Sequence, residues 1–302
     1  MQAEKDDSLT KEVDPQPAPM GKPAAPLPLQ LEKDYQEALI ACERGDDRHG
    51  GDLMRRCAEQ GHAQAQFMYG ALCAIGKGGA QDDALAAHWF RQAAEQGQPQ
   101  AQYNLGMMLA TGKGVEPDTK QAARWLQRAA RQGNAPAQMK LGEYYAVGCG
   151  VPHDHEVAAH WFRLAAEQGH AEAQYEMGLR CDQGLGVTQD EREAAQWYRL
   201  SAKQGYSRAQ FSLAAKYALG AGIAEDPRRS LKWLRRAANQ GLIPALVLLA
   251  AVYGAGKQVP RKQAKEAARL ITAALAQNMA ETIATLIVVS EEINLKLEFR
   301  LP

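Results

Sequence analysis

The 302-residue sequence lacks most of the features that announce a function directly. It has no net charge, since 35 Lys and Arg stand against 35 Asp and Glu. A dedicated nucleic-acid binder carries a clear cationic excess, so no nucleic-acid partner is expected. No run of about 18 apolar residues occurs, which leaves nothing to span a bilayer as a helix. The first 30 residues hold no apolar core of signal-peptide type. As written, the chain is therefore expected in the cytoplasm. If Met1 replaces a removed signal or lipid anchor, a periplasmic or exported location is expected instead. The five cysteines, Cys42, Cys57, Cys73, Cys149 and Cys181, are odd in number and show no CxxC spacing. They point neither to a full disulfide framework nor to structural zinc. Aromatic residues are few, and their placement is what carries information.

All five tryptophans fall at a constant step of 36 residues, at Trp89, Trp125, Trp161, Trp197 and Trp233. Gly61, Gly97, Gly133, Gly169, Gly205 and Gly241 keep the same step. By length alone about two domains are expected, but a period of 20 to 50 residues marks a solenoid or propeller and overrides that prior.

Each unit reads as two helices. In Ala171–Cys181 small and apolar residues recur at steps of three and four, the spacing of one helix face. Gly184 and Gly186 then provide a tight turn, and Asp190 suits the cap of a second helix from about Glu191 to Lys203. That aspartate recurs at Asp82, Asp118, Asp154 and Asp226, and the closing glycine fits the left-handed position after a helix. Gly70, Gly106, Gly142 and Gly178, continued by Ala214 and Ala250, lie inside the first helices. Glycine costs about 1 kcal/mol there relative to alanine, and close approach of a neighbouring helix offsets it. Each tryptophan is expected to fill the space between one helix pair and the next.

The motifs A-x-A-Q-[YF]-x-[LM]-G, G-x-G-[VI], W-[YFL] and A-A-x-Q-G resemble those of the Sel1-like repeat family, a relative of the tetratricopeptide repeat with a longer inter-helix loop. The resemblance implies an all-α fold, an α/α superhelical solenoid of stacked helix-turn-helix repeats. Five repeats are expected over 63–242, flanked by a degenerate N-terminal helix pair at 33–62 and a degenerate C-terminal repeat with a capping helix at 243–289. Atypical end units close such a stack against water. The proline-rich 1–32 is expected to be a disordered tether. The tail at 290–302 alternates apolar and polar residues from Ile293 to Leu301, as a strand does. It suits either a lid on the last helix pair or edge pairing with a partner.

Little in the residues points to chemistry. The G-x-G pairs follow a helix and lack the lysine-serine ending of a phosphate loop, so they read as turn glycines. Cys149, His153, Asp154, His155 and His160 are the densest group of possible metal ligands. Their positions are held by unrelated residues in other repeats, and no metal site or cofactor is expected. No catalytic triad or carboxylate pair can be located by spacing. Some cysteine-rich members of the family are linked to β-lactam hydrolysis, but the paired cysteines behind that link are absent here. Cys73 and Cys181 share a position with Tyr145 and read as core thiols, while a Cys42–Cys57 bridge across the first pair remains open.

In tetratricopeptide stacks the first helix of each pair lines a concave groove. Aligned on the internal glycine, the resemblance assigns a protein-binding groove to Phe67, Tyr103, Met107, Met139, Glu143, Tyr175, Leu179, Asp182 and Phe211. A secondary basic patch comprises Arg228, Arg229, Lys232, Arg235 and Arg236. Between Glu225 and Leu270 ten cations face three anions, a net of +7, so the remainder sums to −7. This patch suits an acidic protein or, through it or an anchor, an anionic membrane surface. The function the resemblance implies is a non-catalytic scaffold or adaptor that binds a protein or peptide in its groove. An immunity protein neutralising a secreted bacterial toxin is the alternative, and a hydrolase is a more remote one.

Overall fold

The computed structural model describes residues 28–77, 79–254, 261–278 and 285. Most of the expected tether (1–27) and the alternating tail lie outside the described residues. The described residues form fourteen helices and no strand. The chain divides into two compact units, 1–168 and 169–302.

The first unit holds α1 (Leu29–Glu43), α2 (Asp47–Glu59), α3 (Ala63–Ile75), α4 (Asp83–Glu95), α5 (Pro99–Thr111), α6 (Thr119–Arg131), α7 (Ala135–Val147) and α8 (His155–Glu167). The second holds α9 (Ala171–Gln183), α10 (Glu191–Lys203), α11 (Ser207–Leu219), α12 (Pro227–Asn239), α13 (Ile243–Gly254) and α14 (Arg261–Gln277). Within each unit every helix packs on the next in chain order, so each unit is a stack of antiparallel helix pairs, an α-solenoid. Helix α1 begins at Leu29, inside the segment read as tether, because Leu31 and Tyr35 bury against Leu53, Met54 and Cys57 of α2.

Local sequence sets the boundaries. Asp46, Asp82, Asp118 and Asp154 in the first unit, and Asp190 and Asp226 in the second, each accept a backbone N–H from the first turn of the helix that follows. The N–H of Asp118 donates to the carbonyl of Leu109 at 2.9 Å, and that of Asp226 to Tyr217 at 2.9 Å. One residue thereby starts the second helix and ties it to the first.

Pairs close on the internal glycine. A Cβ on Gly142 would lie 2.8 Å from the Phe162 ring, and one on Gly178 would lie 2.5 Å from the Tyr198 ring. The occupant of this space is the residue after each tryptophan: Phe90, Leu126 and Phe162 in the first unit, Tyr198 and Leu234 in the second, all at most 3% exposed. The space between one pair and the next, where the tryptophans are expected, is a different one. Trp161 is buried, whereas Trp89, Trp125, Trp197 and Trp233 remain partly exposed at the pair margins.

Successive pairs are joined by buried glutamines. Gln66, Gln102 and Gln138 donate to the carbonyls of Ala58, Ala94 and Ala130 at 3.1 Å, each at the end of the preceding repeat's second helix. Each also accepts from the glutamine ending its own repeat, Gln96, Gln132 or Gln168, at 2.7–2.8 Å. In the second unit Gln210 bridges Ala202 and Gln240 in the same way. A buried amide with both ends satisfied links three helices at no desolvation deficit. The second glycine of the G-x-G pair serves the same junction. At Gly150, φ +69°, a Cβ would sit 2.3 Å from the Thr119 carbonyl oxygen of the preceding repeat. This glycine is needed for a close backbone approach between repeats.

Candidate protein-binding face

The first helix of each repeat buries one side on its own second helix and leaves the other half open. In α3 the residues Ala65, Gln66, Gly70, Leu72 and Cys73 are buried, while Gln64, Phe67, Met68, Ala71 and Ala74 are half-buried and Ile75 is exposed. The open residues recur at three- and four-residue steps, as a single helix face requires. In the first unit this face carries Phe67, Tyr103, Met107 and Glu143, all half-buried. The Phe67 ring lies 5.9 Å from Phe90, so that side chain also supports the pair. Met139 departs from the expected groove position: it is 4% exposed and turned into the packing. Glu143 pairs with Lys140, one turn earlier on α7.

The same face in the second unit mixes polar and apolar residues. Tyr175 contacts the rings of Tyr198 and Tyr206 at 5.9 and 5.3 Å. Burial pushes its phenol up, and burial with Glu172 nearby pushes Tyr206 up to about 12. Leu179 and Phe211 are half-buried. Asp182, expected as an acidic recognition residue, forms an ion pair with Lys216, whose side chain is only 9% exposed. Burial, and then the Asp182 charge, hold the Tyr198 phenol far above its ordinary range.

Helical periodicity does not reveal two features of these faces. Ile75 and Val147 in the first unit are 68% and 73% exposed, and Leu219 in the second is 64% exposed. Each is the last residue before a left-handed capping glycine. An apolar residue at that place reads as core, and the available signal is that the equivalent residues Thr111 and Gln183 are polar. The second feature is a pair of buried cations. Arg180 and Lys216 occupy, in the second unit, the position held in the first by Leu72, Met108 and Tyr144.

The basic patch lies on α12, and all five of its side chains are exposed. Arg229 pairs with Asp226 at 3.2 Å and sits 5.7 Å over the Tyr217 ring. Arg235 donates through Nε to the Tyr253 hydroxyl at 2.7 Å, and Arg236 lies 4.6 Å over Trp233. Of the His, Cys and Asp cluster at the α7–α8 loop, Asp154 caps α8, and the rings of His153 and His155 meet edge to face at 4.4 Å. Among the described residues no three His, Cys, Asp or Glu side chains gather as a metal site would require. All five cysteines are free thiols, including Cys42 and Cys57, and Cys73 and Cys181 are buried as core residues.

A family model described as Sel1 repeat matches residues 63–98, 99–134, 135–170, 171–206, 207–242 and 243–279. A Sel1 repeat protein from Oxalobacter formigenes is 31% identical, with a TM-score of 0.72, over 80% of this chain and 96% of that one. A protective antigen of uropathogenic Escherichia coli strains with an SLR fold is 30% identical, with a TM-score of 0.65, over 88% of this chain and 68% of that one. An immunity protein from Pseudomonas aeruginosa is 22% identical, with a TM-score of 0.42, over 71% of this chain and 83% of that one. No curated protein matches the chain significantly.

Proposed function

Because the chain belongs to the Sel1 repeat family, whose members are generally non-catalytic scaffolds, we propose that it is a protein-binding adaptor that takes a protein or peptide on the open face of α3, α5 and α7. The observation that carries this reading is the exposure of Ile75 at the end of α3 and of Val147 at the end of α7, at 68% and 73%, with Met107 half-buried on the open face of α5. Covering an Ile or Val side chain contributes about 1.5–3 kcal/mol. Two such residues therefore supply much of the energy of a micromolar contact, which is about 8 kcal/mol in total. Methionine adapts to irregular partners, which suits a recognition surface. The Lys140–Glu143 pair beside them gives orientation more than affinity.

The test is co-purification of the full chain with its partner, followed by titration calorimetry against Ile75→Arg with Met107→Arg. Affinity should fall at least about tenfold, and the thermal melt should fall only slightly, because Ile75 is exposed and Met107 half-buried. Unchanged affinity refutes the assignment to this face. A single partner with enzymatic activity, held at nanomolar affinity, would mark the adaptor as an immunity protein; several weaker partners would mark it as a general scaffold.

A further inference from the structure

We propose that the outer face of α12 is a docking site for a carboxylate-rich segment of another protein, separate from the face of α3, α5 and α7. The helix Pro227–Asn239 contains five cations and no acid. At 100° per residue, Arg228, Arg229, Lys232, Arg235 and Arg236 fall within an arc of about 120°, opposite the buried Leu234, Ala237 and Ala238. Like charges three and four residues apart oppose the helix that carries them. Ring contacts of Arg229 and Arg235 to α11 and α13 offset part of that cost, whereas among the described residues Arg228 and Lys232 make no such contact.

Three of the arginines are seated on aromatic rings. Arg229 lies over Tyr217, Arg235 over Tyr253 and Arg236 over Trp233, at 5.7, 5.7 and 4.6 Å. Arg199 of α10 reaches the hydroxyl of the same Tyr217 at 3.3 Å, which extends the cationic row by one repeat. A guanidinium held by a ring keeps its planar fork for bidentate contact with a carboxylate, and little side-chain freedom is lost when that contact forms. Asp226 is the carboxylate that pairs with this group, and it is already engaged in capping α12. Among the described residues Arg228 and Lys232 have no carboxylate partner.

The dimensions favour a protein over a longer polyanion. Thirteen residues of helix span about 20 Å, and the chain outside 225–270 sums to −7. A nucleic acid or an anionic membrane would also meet that anionic remainder, whereas an acidic segment of a few turns matches the length of the row.

The experiment uses the full chain and a fluorescein-labelled 16-residue peptide of Glu and Asp, with anisotropy read from about 50 to about 300 mM NaCl. Binding is expected, weakening with salt, and falling at least about tenfold in Arg228→Glu with Lys232→Glu. Both side chains are exposed and the exchange relieves like-charge repulsion, so the melting temperature should not fall. The variant Ile75→Arg with Met107→Arg should bind the peptide as the wild type does, which separates this site from the adaptor face. The proposal is overturned if the peptide fails to bind, if it binds the charge-reversed variant equally, or if phosphatidylserine vesicles or a single-stranded oligonucleotide bind more tightly than the peptide.

Discussion

The side-chain amide of Gln132 donates to Oε1 of Gln102 at 2.8 Å, and Gln102 donates in turn to the carbonyl of Ala94 at 3.1 Å. Gln102 is 4% exposed, so neither partner can be replaced by water without rearrangement. Substituting Gln102→Leu keeps the volume but leaves the Ala94 carbonyl only the Gly97 N–H at 3.0 Å and removes an acceptor of Gln132. The expected loss is about 1–3 kcal/mol, read as a lower urea midpoint at an unchanged slope. Gln132→Ala should cost less, because its position is exposed and only one end of the buried amide is lost. Equal losses would show that the buried glutamine is not the bridging element.

Of Gly70, Gly106 and Gly142, the last closes its pair most tightly, with a hypothetical Cβ 2.8 Å from two ring carbons of Phe162. Gly142→Ala gains about 1 kcal/mol of helix propensity and loses about 1–3 kcal/mol to overpacking. The net effect is destabilising. In the second unit Ala214 and Leu234 already combine an alanine with a leucine at these two positions, both buried in one cluster. Adding Phe162→Leu to Gly142→Ala should therefore cost less than the sum of the two single changes, by about 1 kcal/mol of coupling. Additive losses in a double-mutant cycle of chemical denaturation would contradict the contact.

The 36-residue step of the tryptophans is enough to locate the helix pairs, their aspartate caps and their capping glycines, because each depends on residues within a few positions of one another. Which side chain fills the pair was not legible in the same way. Trp89 and Phe90 are equally apolar, and only the approach of Gly70 selects the second. Contacts over longer separations were hidden altogether. Asp182 meets Lys216 across 34 residues and Arg235 meets Tyr253 across 18, so an acid that reads as a recognition residue is internally neutralised and a solvated-looking arginine is seated on a ring. The exposed Ile75 and Val147 were masked for the opposite reason, since helical periodicity assigns apolar residues to the core.

The capping aspartates make stability depend on pH with a definite sign. The backbone and side-chain N–H groups of Gln121 hold the Asp118 carboxyl below its ordinary range, and the backbone N–H groups of Glu193 and Arg192 do the same for Asp190. A carboxyl depressed in the folded state contributes fully above its unfolded value, about 3.9, and that contribution is lost as pH falls through the folded value. Asp118→Asn with Asp190→Asn keeps an acceptor at each cap but cannot titrate. Between about pH 5 and pH 3 the melting temperature of the wild type should fall more steeply than that of the variant. Both carboxylates are solvent-exposed, so the difference should be modest; parallel curves would refute it.

The Asp182–Lys216 pair predicts an asymmetry between its two members. Lys216 is 9% exposed and Asp182 is 28% exposed, so the ammonium bears most of the desolvation. Asp182→Ala leaves a buried charge without its carboxylate, a change that costs about 3–5 kcal/mol at the fully buried limit. Lys216→Met leaves an acid that water can reach, and it installs the residue that the equivalent Met108 already provides in the first unit. Its cost should be well below that of Asp182→Ala. The double change, which removes both charges, should recover most of what Asp182→Ala loses. Chemical denaturation of the three variants decides the matter: a double variant no more stable than Asp182→Ala would mean that the carboxylate supports the fold through some contact other than Lys216.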